Sequence, residues 1–98
     1  MIKYRSRTDI ASQMLEAANG GTTKTKIMYK AFLSYSQLRE YLSMLTDNGL
    51  LEYDKSTETF KTTEKGTRFL RIYNEMAEFV TTTEQQTTTT AAEVKGMQ

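Results

Sequence analysis

With 98 residues, 38% of them apolar and 26% charged, the chain has material for one small domain plus at most an arm or tail. It contains no cysteine, histidine, tryptophan or proline, which excludes disulfides, thiolate chemistry, hydrolysis by a nucleophile–histidine pair and zinc-finger ligation. The net charge of +1 is unevenly spread: residues 1–39 hold seven basic and two acidic side chains, a net +5, and residues 40–98 hold six and ten, a net −4.

The first periodic segment is Thr8 to Asn19, where Ile10, Ala11, Met14, Leu15 and Ala18 share one face of a helix. Ser6 or Thr8 can cap its start, and Asn19-Gly20-Gly21 ends it. Thr22 and Thr23 form a short extended piece. A short helix follows over Lys24 to Ala31, with Ile27, Met28 and Ala31 as its apolar side and Lys26 and Lys30 four apart. Phe32 to Tyr35 is a tight linker. The third helix spans about Ser36 to Asn48, capped by Ser34 or Ser36. Leu38, Leu42 and Leu45 make its buried stripe, Tyr41 lies on the edge, and Gln37, Arg39, Glu40, Ser43 and Thr46 face away. Asp47-Asn48-Gly49 stops it.

Leu50 to Asp54 and Thr59 to Thr62 read as two strands of a hairpin, with Leu51, Tyr53 and Phe60 as inward or cross-strand contacts. Its loop carries no Asn-Gly and is expected to hold four or five residues. A fourth helix runs from about Thr63 to Val80, capped by Thr62 or Thr63, with Glu64 in its first turn where the helix dipole favours an anion. Gly66 inside it marks close backbone packing. The segment 81–98 contains seven threonines and only Ala91, Ala92, Val94 and Met97 to bury, so it reads as a disordered or frayed tail. The domain organisation is therefore 1–62 for a compact domain, 63–80 for a C-terminal helix and 81–98 for the tail.

Three compact helices followed by a β-hairpin make a mostly helical α+β chain with the plan of a winged helix-turn-helix. In that plan the third helix enters a DNA groove and the hairpin flanks it. The same plan also serves protein–protein adaptors, which is the alternative reading. The strings KTKIMYKA at 24–31 and LSYSQL at 33–38, with Tyr41-Leu42, closely resemble one family. So do Asn48-Gly49-Leu50-Leu51 and Thr62-Thr63-Glu64-Lys65-Gly66. It is the archaeal winged-helix family of small DNA-binding proteins that dimerise through a C-terminal antiparallel coiled coil. The resemblance covers about residues 5–80. It implies double-stranded DNA and a second copy of the chain as partners, in transcription regulation or chromatin. Two features depart from the family pattern. The wing tip carries Lys55 among Glu52, Asp54 and Glu58, a poor setting for a phosphate, and the predicted fourth helix is short, ~27 Å at 1.5 Å per residue.

The candidate DNA contacts follow from the plan. Lys24, Lys26 and Lys30 precede the third helix, where phosphate contacts fix register without reading sequence. Ser34, Tyr35, Ser36 and Gln37 open the third helix, the part that reaches base edges, with Gln37 suited to adenine and Arg39 to guanine. The serines equally suit capping and Tyr35 equally suits packing. Ser43 lies one turn further on, and Lys55 is the wing contact. Glu40 would repel phosphate but could accept from cytosine or pair with an arginine. Arg5 and Arg7 form either a basic arm on DNA or a solvated terminus. On the fourth helix Phe69, Tyr73, Met76 and Val80 have the 4-3-4 spacing of a coiled-coil seam. Leu70 with Ala77, and Ile72 with Phe79, add further pairs seven apart, more apolar surface than one small domain covers. No enzyme constellation, metal-spaced ligand set or phosphate-cradling glycine loop is present in the sequence, and no cofactor or small-molecule ligand is implied. No apolar run approaches the ~20 residues of a membrane span, and no apolar signal-type stretch follows the basic start. The expected location is cytoplasmic and nucleoid-associated.

Overall fold

Ser6 begins the first helix with a reciprocal cap. Its hydroxyl accepts from the Asp9 N–H at 3.0 Å, and the Asp9 carboxylate accepts from the Ser6 N–H at 3.0 Å. The computed structural model describes residues 5–87, with side chains to residue 79. Helix α1 spans Arg7–Ala17, one residue earlier at its start than the sequence pattern indicates because Ser6, not Thr8, is the cap. Its whole expected face, Ile10, Ala11, Met14, Leu15 and Ala18, is buried. The chain leaves it through Gly20 and Gly21, both at positive φ, where only glycine is free of strain.

Thr22 then bridges to Phe60 through two backbone hydrogen bonds of 2.9 and 2.7 Å, so the extended piece adds a fragment of third strand to the hairpin. Thr23 caps helix α2, Lys24–Lys30, which buries Ile27. Helix α3 spans Tyr35–Asp47 and opens on a capping box in which Ser34 and Gln37 satisfy each other's backbone N–H groups. It buries Leu38, Leu42 and Leu45 as expected, and also Tyr41, which the pattern placed on the edge. The Arg7 guanidinium lies 4.9 Å from the Tyr41 ring centroid and covers it, a long-range contact that helical spacing cannot reveal.

Strands β1 (Leu51–Asp54) and β2 (Thr59–Thr62) pair antiparallel, with Tyr53 opposite Phe60 and their rings 4.8 Å apart. Leu50 stays outside β1, because its carbonyl accepts from Thr63 at the root of the next helix. Four residues, Lys55 to Glu58, form the wing loop. Asp54 holds it by accepting from the Ser56 N–H and hydroxyl, and these bonds keep the Asp54 carboxyl below the ordinary carboxylate range.

Helix α4 spans Glu64–Thr87. Thr63 is its cap: the hydroxyl accepts from the Gly66 N–H at 3.1 Å and donates to the Gly49 carbonyl at 2.6 Å. Gly66 is required by packing, since a Cβ there would stand 2.4 Å from the Leu50 carbonyl oxygen. The helix runs past Val80, so the boundary of the expected tail is corrected for residues 81–87. Threonine is a weak helix former, but adding residues to an existing helix is cheap compared with nucleating one, and Glu84, Gln85 and Gln86 propagate well. At 24 residues the helix is ~36 Å long, no longer the short rod expected from the sequence. The remainder of the expected tail, 88–98, lies outside the described residues.

Helix α1 is the centre of the packing. It touches α2, α4 and β2, while α3 rests on α2 and β1. Its Met14 and Leu15 are fully enclosed with Ile27, Leu38, Leu45 and Leu51, one residue or two from each of four elements. Phe69 and Leu70 are the apolar residues by which α4 joins this core. Among the described residues no helix is long and apolar enough to cross a membrane, and no group of acidic residues is arranged to hold a metal ion.

Candidate nucleic-acid interface

The two helices that flank the 31–34 turn present different kinds of surface. In α2 the cations stand at both ends. Lys24 and Lys26 lie in the first turn with no acidic residue beside them, and Lys30 closes the helix. Cations in a first turn oppose the helix dipole, so this end keeps its positive potential instead of cancelling it. Lys24, Lys26 and Lys30 are all exposed. In α3 the outward row is Ser36, Arg39, Glu40 and Ser43, spaced as one helical face and all exposed.

Local hydrogen bonding divides the α3 residues. Ser34 is the helix cap and Gln37 closes the capping box with its Oε1 at 3.0 Å from the Ser34 N–H, so both have a structural task first. Ser36 lies within 3.5 Å of the Ser34 hydroxyl. Tyr35 is 57% exposed and does not pack in the core; Arg39 sits 5.9 Å from its ring centroid, an exposed arginine–aromatic pair one turn into the helix. Glu40 has its arginine: Arg7 reaches it at 3.4 Å, the one ion pair among the described residues. Lys24, Lys26, Lys30, Arg39 and Lys55 therefore carry no internal counter-ion there.

Neither Arg5 nor Arg7 forms a free basic arm. Arg7 is the first residue of α1 and lies between Tyr41 and Glu40. Arg5 donates to the Ala31 carbonyl at 2.5 Å, the Phe32 carbonyl at 2.8 Å and Gln13 Oε1 at 2.5 Å. It thereby caps the negative end of α2 and fastens the turn. No feature of the sequence flags a pairing between residues 26 and 27 positions apart. Lys55 is exposed at the wing tip, and an open cleft of about 480 Å³ separates the wing from the start of α2, lined by Lys24, Thr25, Tyr53 and Glu58 among others.

The sequence pattern of the winged helix-turn-helix family matches residues 4–88. The chain belongs to that family. Among solved structures, this winged helix is similar to the crystal structure of Sso10a-2, a DNA-binding protein from Sulfolobus solfataricus. The TM-score is 0.69 and the identity 19%, over 86% of this chain and 94% of that one. At that identity the likeness is one of fold. A comparison with curated protein sequences returns no match.

The winged helix leaves the start of its terminal helix on the domain and sends the rest beyond it. Of the predicted seam, Phe69 is half-buried against the core, and Tyr73 donates its hydroxyl to Asp9. That bond, with partial burial, pushes the Tyr73 phenol above its ordinary value. Met76 is 58% exposed, and the Val80 side chain lies outside the described residues. The apolar positions most open to solvent run instead through Ile72, 51% exposed, Met76 and Phe79. With Phe69 they are spaced 3-4-3, the a/d spacing of a heptad, one position away from the Tyr73 row. The two rows share Phe69 and Met76 and part at 72 and 73, where Tyr73 is bonded to Asp9 of α1 and Ile72 is exposed.

Proposed function

We propose that this winged helix binds double-stranded DNA as a homodimer and acts as a transcription regulator or chromatin-associated protein, with no catalytic step. Helix α3 enters the major groove. Lys24, Lys26 and Lys30 contact phosphates on its flank, and Tyr35, Ser36, Arg39 and Ser43 meet the groove floor, with Gln37 and Ser34 holding the helix start. Lys55 adds a lesser wing contact, since Glu52, Asp54 and Glu58 surround it.

The observation that carries this reading is the set of exposed cations on α2 and α3 without internal counter-ions among the described residues. A solvated lysine face would serve solubility at any place on the surface. Here the cations bracket the one turn whose following helix opens with exposed aromatic, serine and arginine side chains. The family fold and the DNA-binding protein of similar structure support the same partner.

Titration of a duplex at several salt concentrations tests it. Affinity is expected to fall steeply as salt rises, with a log–log slope of about −0.9 for each phosphate neutralised. Absence of duplex binding at low salt would favour the second reading, a winged-helix adaptor docked on a larger assembly through α4. The exposed Ile72 and Met76 on that helix are the observation that favours it.

A further inference from the structure

Phe32 is the most exposed large apolar side chain of the protein's described part, at 79%, and it also occupies a left-handed backbone conformation, φ 55°. Both conditions are unfavourable for a phenylalanine. The left-handed region brings Cβ of an L-residue against its own carbonyl, which is why a glycine or asparagine is the usual occupant. The turn does not need the ring. Every bond that fixes it runs through backbone: Phe32 N–H to the Tyr29 carbonyl at 3.3 Å, Leu33 N–H to the Met28 carbonyl at 3.0 Å, and the Arg5 guanidinium to the carbonyls of residues 31 and 32. Ala31 and Leu33 on either side point into the core and are buried, so the chain path drives the intervening side chain outward. A strained residue held by an over-determined backbone, with its side chain in water, points to a use outside the domain.

We infer that Phe32 is a DNA-contacting residue that lays its ring against an apolar part of the duplex, a thymine methyl group or a deoxyribose, with Arg5 as the positioning residue that holds it out. The inference rests on the DNA-binding reading and names a contact that reading lacks. The occupant follows from what surrounds the ring. Phe32 lies between Lys30 and the opening residues of α3, and Tyr29 and Tyr35, three residues to either side, are exposed as well. Aromatic rings interleaved with Lys26, Lys30 and Arg39 match a polyanion that carries apolar faces between its charges. A protein surface that offered an apolar pocket would leave those three cations without partners.

The test uses the full chain and two substitutions that suit a left-handed residue, Phe32→Asn and Phe32→Gly. Both are expected to melt at or above the wild-type temperature, and both are expected to bind a duplex roughly ten-fold more weakly. The salt slope should stay unchanged, because no phosphate contact is lost. A duplex with deoxyuridine in place of thymidine separates the two sources. If wild type weakens on it and Phe32→Asn does not, the ring meets a thymine methyl; if wild type is indifferent, the ring meets deoxyribose. Arg5→Met should weaken binding by a similar factor with the salt slope unchanged, and Arg5→Lys should restore part of it. Wild-type affinity in a well-folded Phe32→Asn overturns the inference alone. So does a fall in affinity matched by a fall in melting temperature, or a changed assembly state with unchanged affinity. Absence of any wild-type binding at low salt overturns the inference together with the reading beneath it.

Discussion

Helices α3 and α4 are both amphipathic and both anchored on the same core, yet they turn opposite kinds of surface outward. Helix α3 buries Leu38, Tyr41, Leu42 and Leu45 and leaves Ser36, Arg39, Glu40 and Ser43 in solvent. Helix α4 buries Gly66 and Leu70 near its start and then exposes Ile72 and Met76. A polar outer face is at ease in water, and beside the α2 lysines Lys24, Lys26 and Lys30 it suits a polyanion. An apolar outer face at heptad spacing gains only from another apolar face. In the proposed function the two helices therefore take partners of different chemistry, and burial on the domain, not spacing alone, distinguishes the apolar positions of α4. Phe69 and Tyr73 satisfy a seam pattern but serve the domain, through the core and through Asp9.

The largest effect is expected on α4. Ile72→Glu with Met76→Lys places two charges on the exposed row and should convert a dimer to monomers in light scattering. Duplex affinity should then drop by about two orders of magnitude or more, because the second DNA-binding face loses its tether. A wild-type protein that is monomeric at micromolar concentration would contradict the role given to this row.

A smaller effect is expected where α4 is rooted. Gly66→Ala puts a methyl group against the Leu50 carbonyl, 2.4 Å away before relaxation, and should lower stability by ~1–3 kcal/mol in denaturant melts. Duplex affinity measured well below the melting point should change little, since α3 is not involved.

The smallest effect separates the domain row from the seam row. Tyr73→Phe removes the hydroxyl bond to Asp9 and should cost about 1 kcal/mol while leaving the dimer intact. The phenol is raised in the folded protein, so its contribution is fully present below the unfolded value, near 10, and is lost as pH rises through the folded one. Wild type should therefore lose stability on alkaline titration by more than Tyr73→Phe does. Dissociation of the dimer by Tyr73→Phe would instead place Tyr73 in the seam.

Much of the fold was legible in the sequence because it rests on local chemistry. Ser34 with Gln37 and Thr63 with Gly66 write their helix starts within four residues, and Thr59 to Thr62 has the strand it suggests. The misjudged points are all long-range or cooperative. Arg5 looks like a free cation until the carbonyls of residues 31 and 32 are placed beside it. Tyr41 looks like an edge residue until Arg7 covers it. Threonines 81–83 look like a helix stop when each is judged alone, though they extend a helix already formed. On the face proposed for DNA, Lys26, Lys30 and Arg39 are candidates from charge and position alone. Phe32 is not, because a turn residue's exposure depends on which neighbours face the core; the one cue is a bulky side chain in a tight turn between two inward-pointing residues.

The central claim, that the α2–α3 face takes DNA and the α4 face takes protein, is tested most directly by the salt dependence of duplex binding in Lys26→Ala/Lys30→Ala. Binding to preferred and scrambled duplexes alike is expected to weaken, with the log–log slope flatter by about 1.8 for two phosphates released and the dimer unchanged. A slope equal to that of wild type, or a loss of the dimer with these lysines, would contradict it.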